Sequence, residues 1–532
     1  MSALSTRLAA LISDPNPILL KELRATFRTN LFVRFLYLAT GVVGMSVLAI
    51  GAVIASGELP PATVGQVLFQ LFLGAGLLLI FLVAPGYASA SITIEHEQQT
   101  WESLELSGMS AWRVVWGKLA ACYASIALVL VALAPIVGIA FLFGGVSPGQ
   151  VLVGFASLLV ALVPAAAYGV AISARVRSTR LAIVLATVTF FPIGLLGVLL
   201  MTLLGDELRS AWGIGMGGPF FYTEAFVTRA GEWRTWAVLG AMPLWAIGMP
   251  VWFLLATAVA GVRPAAEDRA RPMKLWAVAM TLSSVPAAVL AVAEQASTRE
   301  AGEVAVVSSM VMSGLLVLYG VLFTNEPPLP PRAYELRLAR LPAWRRALAT
   351  LGAGAAGTMR FSIVLSLVSC AVVTAAVIAT GRILGGSTWW RYELACIVVA
   401  LGAFAVSAFA ASLGAFLRIV LANGLAARVL TLSVLLAAAV LPFMAALLVD
   451  PDSLDDLDDR SPPLIMASTL EPLFHAVQIA DNGAAVPLWD TAVPAALYGG
   501  AALVFALLVE LRVARARRER EARRKRFEEA SP

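Results

Sequence analysis

The sequence predicts an all-α polytopic membrane protein with about 12 transmembrane helices. Three observations lead there. Of 532 residues, 60% are hydrophobic and 13% charged, against roughly 25% charged in a soluble domain. The mean hydropathy is +0.86. Apolar runs of the roughly 18 to 20 residues that a spanning helix needs recur along the whole chain. So few polar groups could not cover so much apolar surface in water.

Twelve spans are expected near 32–55, 66–92, 117–144, 151–173, 181–204, 236–261, 275–295, 305–324, 361–381, 392–416, 429–449 and 491–511. With the N-terminus inside, 31 of the 38 basic residues fall in inside segments and 7 in outside ones. Loops rich in lysine and arginine stay on the cytoplasmic side. The expected setting is therefore a bacterial inner cell membrane, with both termini cytoplasmic. The first 30 residues lack the apolar core and small-residue cleavage site of a secretory signal. Cys122, Cys370 and Cys396 sit in hydrophobic runs with no metal-ligand spacing, as small core residues do.

The two halves share a layout. A short basic inside turn follows each fourth span, "SARVRSTRLA" and "LRIVLANGLAARV". Each fifth span carries a proline, Pro192 and Pro442, and the longest outside loops follow, 205–235 and 450–490. "SAWRVVWGKL" before the third span is echoed by "PAWRRALATL" at 342–351. The expected organisation is a six-span unit over 1–262, a second and divergent six-span repeat over 263–511, and a basic cytoplasmic tail over 512–532. Two six-span copies enter from the same side, a parallel repeat.

Before the first span lies "SDPNPILLKELRATFRTN". Asn16 can cap a helix, and Pro17 suits its first turn. Leu19, Leu20, Leu23 and Phe27 then share one face, and Lys21, Arg24 and Arg28 another. Such a helix lies in the membrane interface with its basic face toward lipid headgroups. Between the second and third spans comes "TIEHEQQTWESLELSGMSAWRVVWGKL", with four glutamates, two glutamines and a histidine between two oily runs. A short helix is expected over roughly 95–106, polar with an apolar edge at Trp101, Leu104 and Leu106. Gly108 should end it, and Ser110 should cap the next helix. A short surface helix of this kind suits docking to a cytosolic partner.

The order "NPILLKELR", a long span, "SITIEHEQQTWESLELSGMS" and then "VVWGKL" resembles the permease subunits of type-2 ABC transporters. The resemblance covers about the first 200 residues. It falls on Lys21 and Glu22 of the interfacial helix, on Glu95, Glu97, Thr100, Glu102 and Leu104 of the acidic run, and on Gly117 and Lys118. Trp101 lies within that run, and Arg24 and Arg28 complete the basic face of the interfacial helix. The resemblance implies that the acidic run couples the spans to a separate cytosolic ABC ATPase, two copies per transporter. The chain would then be the permease of an ATP-driven transporter, an exporter, working as a pseudo-dimer or a homodimer among membrane lipids. The second half departs from the pattern. Its 325–360 segment is basic, with no acidic run.

The remaining features exclude rather than assign. No G-x-x-x-x-G-K-[ST] motif is present, so nucleotide should bind elsewhere. "GIGMGGPFF" at 213–221 falls outside and reads as a flexible loop or shallow re-entrant segment. The acidic "DPDSLDDLDDRS" at 450–461 lacks calcium-loop spacing. His96 and His475, the two histidines, fall in loops on opposite sides. Ionisable residues near mid-membrane are almost absent, which argues against an ion-driven carrier. No cofactor, metal or nucleic-acid partner is expected. The basic tail suits anionic lipid headgroups. The competing readings are a membrane-embedded lipid-modifying enzyme, which should cluster His, Asp or Glu at one face, and a non-transporting scaffold.

Overall fold

The computed structural model describes residues 16–530, apart from 56–59, 214–217, 265–267, 294–296, 324–325, 341, 343–349, 385–388, 422, 450–466 and 483–488. The acidic loop 450–461 and most of the 342–351 echo therefore lie outside the described residues. Secondary structure among those described is helical, with no strand. Among the described residues, eleven helices are long and apolar enough to cross a membrane. The 26-residue helix Asn30–Ala55 stands in the place of the first expected span. The chain is an all-α, multi-pass membrane protein.

It divides into two compact units, 1–263 and 264–532. The first unit begins with the interfacial helix α1 (Pro17–Arg28), then α2 (Asn30–Ala55) and α3 (Pro61–Glu97). A single helical turn and a half, α4 (Trp101–Leu106), precedes α5 (Ala111–Ala132) and α6 (Ala134–Phe143). Then come α7 (Pro148–Ser173), α8 (Thr179–Trp212), α9 (Tyr222–Thr228) and α10 (Trp233–Val262). Helices α3 and α7 form its centre. Phe69, Phe72, Leu73, Leu158 and Leu162 are buried there, and the Phe72 and Phe155 rings lie 5.3 Å apart. The outer face of α8 keeps Leu181, Val184, Leu195 and Leu199 exposed, a surface that suits lipid.

The second unit holds α11 (Arg271–Ala293), α12 (Thr298–Leu322), the short α13 (Arg332–Ala339), α14 (Ala355–Leu384) and α15 (Trp389–Leu421). It ends with α16 (Gly424–Val449), α17 (Glu471–Asn482) and α18 (Trp489–Ala530). Helix α15 is central and packs against α12, α14, α16, α17 and α18. In both units the second and fourth spans make the most extensive pairing, α3 with α7 and α12 with α15. In both, the connection after the fifth span returns as a short helix against the fourth, α9 on α7 and α17 on α15.

Several boundaries differ from expectation. The third span starts at Ala111 and breaks at Leu133, where Pro135 opens the next helix without an amide to donate. The sixth opens on a π-helical turn at Trp236–Ala241. Helix α8 runs on to Trp212, through the start of the expected outside loop. Of the glycine-rich 213–221, the described residues include a 3-10 turn at Gly218–Phe220, with Phe220 and Phe221 buried. The basic tail continues α18 without a break, so the last span and the tail are one 42-residue helix.

Candidate functional site

Of the residues singled out near the expected cytoplasmic face of the first unit, Lys21, Glu22, Glu95, Thr100, Gly117 and Lys118 gather into one cluster. Asn16 caps α1, its Oδ1 accepting from the Ile18 amide at 3.1 Å, with Pro17 in the first turn. The same side chain donates from Nδ2 to the Arg113 carbonyl at 2.7 Å, tying α1 to the start of α5. Gly117 lets the two helices approach. A Cβ there would fall 2.8 Å from Asn16 Nδ2 and 2.9 Å from Ile18 Cβ.

One turn of contact further in, four charges interlock. Lys118 is 1% exposed and donates to Glu22 at 2.8 Å, to Glu95 at 3.1 Å and to the Ser91 carbonyl at 2.7 Å. Lys21 reaches the same Glu95 oxygen at 2.9 Å from a side chain that is 65% exposed. Thr100 donates to the other Glu95 oxygen. Two cations and two carboxylates thus make a neutral network that joins α1, the end of α3 and α5. Burying a lysine is tolerable because its three donors all find acceptors.

The acidic run divides into an inward and an outward part. The short helix expected over 95–106 begins at Trp101 instead, because α3 continues through Glu97 and the chain turns at Gln99, where φ is +59°. Glu95 and Glu97 both belong to the long helix; Glu95 is buried, whereas Glu97 is exposed. Glu97 accepts the Thr179 amide at 2.8 Å and so caps the start of α8. His96 stacks on Trp101 with centroids 4.7 Å apart. Glu102 and Glu105 are exposed, Leu104 is half-buried, and Leu106 is 87% exposed. Gly108, with φ at +69°, ends the segment, and the Ser110 hydroxyl accepts from the Arg113 amide at 3.3 Å. On α1, Arg24 and Arg28 are exposed, as are Leu20 and Phe27.

The corresponding region of the second unit is built differently. Lys274 donates to the carbonyls of Leu351 and Gly352, at 3.1 and 2.6 Å. The Gly354 amide donates to Glu326 at 3.5 Å. Burial pushes the Glu326 carboxyl above the usual carboxylate range, and Asp268 adds to this against the pull of Lys274, the Gly354 amide and Arg269. Arg360 meets Glu510 through two bonds of 2.7 and 2.6 Å. Arg520, from the tail portion of α18, reaches the Pro330 carbonyl at 3.3 Å and Glu335 at 3.4 Å.

Sequence reasoning selected Lys21, Glu22, Glu95, Gly117 and Lys118 but could not pair them, since the partners stand up to 96 residues apart. It missed Asn16 as a strut to α5 and the Ser91 carbonyl as a lysine acceptor. Only an asparagine beside a proline hinted at the first, and nothing in sequence marks a backbone carbonyl. It also placed Glu471 and His475 in an outside loop, and both are fully buried. No family model matches this chain, and neither the curated proteins nor the solved structures gave a match.

Proposed function

We propose that this chain is the membrane subunit of an ATP-driven ABC transporter, an exporter, seated in the inner membrane with both termini in the cytosol. A separate cytosolic ATPase docks on α4 and the turn beside it. The observation that carries this reading is the network of Lys21, Glu22, Glu95 and Lys118. It binds the interfacial helix and two spans into one block at the base of an exposed, acidic, leucine-tipped helix. A push on α4 would pass through Thr100 to Glu95, and from there to α1, α3 and α5 together. A surface helix joined this rigidly to the spans can transmit motion that a solvated loop would absorb.

The division of the acidic run decides which residues to test. Glu97 caps α8, so its replacement would disturb the fold. Glu102, Glu105 and Leu106 have no such role. The variant E102K/E105K/L106D should insert normally and melt like the wild type, yet lose at least tenfold in co-purification with a co-expressed cytosolic ABC ATPase partner. Losing a desolvated charge pair and an apolar anchor at an interface costs about 2–5 kcal/mol. Undiminished recovery of the complex would refute docking at α4.

A further inference from the structure

Helix α14 carries buried hydroxyls along one face. Thr358, Ser362, Ser366 and Ser369 follow one another a turn apart, and each is 3% exposed or less. A buried hydroxyl needs a hydrogen-bond partner. Thr358 donates to the carbonyls of Gly354 and Ala355, at 2.9 and 3.0 Å, and Ser369 to that of Leu365 at 2.5 Å. On the neighbouring helices, Ser309 and Ser313 of α12 and Ser412 of α15 also donate back into their own helices. Ser362 does not follow them. Its Oγ has no hydrogen-bond partner among the described residues.

Ser362 borders a cavity of about 10 Å³ where α12, α14 and α15 meet, with Gly320, Thr358, Met359, Ala411 and Ala415 around it. Small residues create this space. At Gly320, α12 comes so near α15 that a Cβ would lie 3.1 Å from the Ala411 amide nitrogen. Glycine and alanine at these positions leave too little side chain to fill the corner beside Ser362. The volume is about what one water molecule needs. Thr358 and Ser362 contribute hydroxyl-bearing side chains to the lining, which includes no charged side chain. A metal ion would enter without a counter-charge, at a high cost away from bulk water. Cavities lined by hydrocarbon alone stay dry, whereas a hydroxyl without a partner draws water in.

We propose that this cavity is the binding site of one resident water molecule, which joins α14 to α12 through Ser362. The Ser362 hydroxyl donates to the water. The water in turn donates to Thr358 Oγ1, an oxygen that can accept as well as donate, and to the end of α12. Gly320 lies in the last turn of that helix, where carbonyls run out of helical amides to accept from. Three hydrogen bonds are the usual complement of a buried water. Such a bridge holds nearly as well as a direct hydrogen bond. It also exchanges partners without repacking side chains, so α14 and α12 can shift against each other without stranding Ser362.

The test exploits two buried methionines. Met359 lines the cavity and is 4% exposed, whereas Met312 is 6% exposed and does not line it. The full chain in lipid nanodiscs receives a brief synchrotron X-ray pulse, which splits water into hydroxyl radicals, and mass spectrometry reads methionine oxidation. A water bound beside Met359 should make it oxidise several-fold faster than Met312. In the S362A variant Met359 should fall to the Met312 rate. Thermal unfolding gives a second reading with a definite sign. A buried hydroxyl that lacks a partner destabilises the fold, so S362A would then melt above the wild type; with water bound, S362A loses a hydrogen bond and melts below it. Met359 oxidised no faster than Met312, oxidation unmoved by S362A, or S362A melting at or above the wild type would overturn the site.

Discussion

Lys118 illustrates how one residue can hold several elements. Its ammonium is 1% exposed, and its acceptors come from α1 and α3. Removing it leaves Glu22 without its cation, while Glu95 keeps Lys21. Breaking a buried ion pair from one side costs about 3–5 kcal/mol, more than deleting both partners. K118M should therefore melt well below the wild type, and K118M/E22Q, which restores neutrality, should regain most of the loss; thermal unfolding of the purified chain reads both. Glu326 gives the opposite case. Burial raises its carboxyl pKa in the folded protein, so the protonated form is the one the fold favours. Its stabilisation is complete below the ordinary glutamate range and fades as pH rises through the raised value. E326Q keeps an acceptor for Gly354 without the charge. It should match the wild type at acidic pH and melt above it at pH 8, and a constant difference across pH would contradict this account.

Among the elements, most spans were legible because nearly twenty consecutive apolar residues can do little else. Their ends were not. Helix α3 absorbs Glu95 and Glu97, polar residues expected in a separate short helix over 95–106, because each finds a partner on another element, 23 residues away for Lys118 and 82 for Thr179. Helix α17 was illegible for the same reason. A glutamate and a histidine read as solvent-facing until Gly402 and the Ala438 and Ala439 carbonyls show where the chain returns. Composition marks polarity, whereas burial depends on partners far along the chain. The hinge between α3 and α4 depends on Gln99, a non-glycine residue at φ +59°. That conformation costs a side-chain-bearing residue roughly 1–2 kcal/mol, and more for a β-branched one. Q99G should melt at or above the wild type and Q99V below it. Equal melting of the two would mean that this turn is not held in the left-handed conformation.

The molecule as a whole raises the question of how many docking surfaces one chain presents. Among the described residues, each unit carries six long helices, pairs its second and fourth spans most extensively, and folds the segment after its fifth back onto the fourth. If the two units are copies of one six-span unit, as the sequence layout predicts, a single chain would supply both membrane halves of the proposed transporter. The copies differ where the partner would bind. The first presents Glu102, Glu105 and Leu106 on α4. In the second, the described part of 326–354 is held by Lys274 on two backbone carbonyls and by Arg520 on Pro330 and Glu335, beside the basic length of α18. Two identical ATPase subunits would meet an acidic surface on one side and a basic one on the other, and exposed charge pairs weaken as salt screens them. Native mass spectrometry of the purified complex should give one copy of this chain with two ATPases. Raising the salt should release the ATPases in two separate steps, and E102K/E105K/L106D should abolish one step while leaving the other in place. Two copies of this chain per complex would reject the single-chain arrangement, and simultaneous loss of both ATPases from the variant would reject unequal docking.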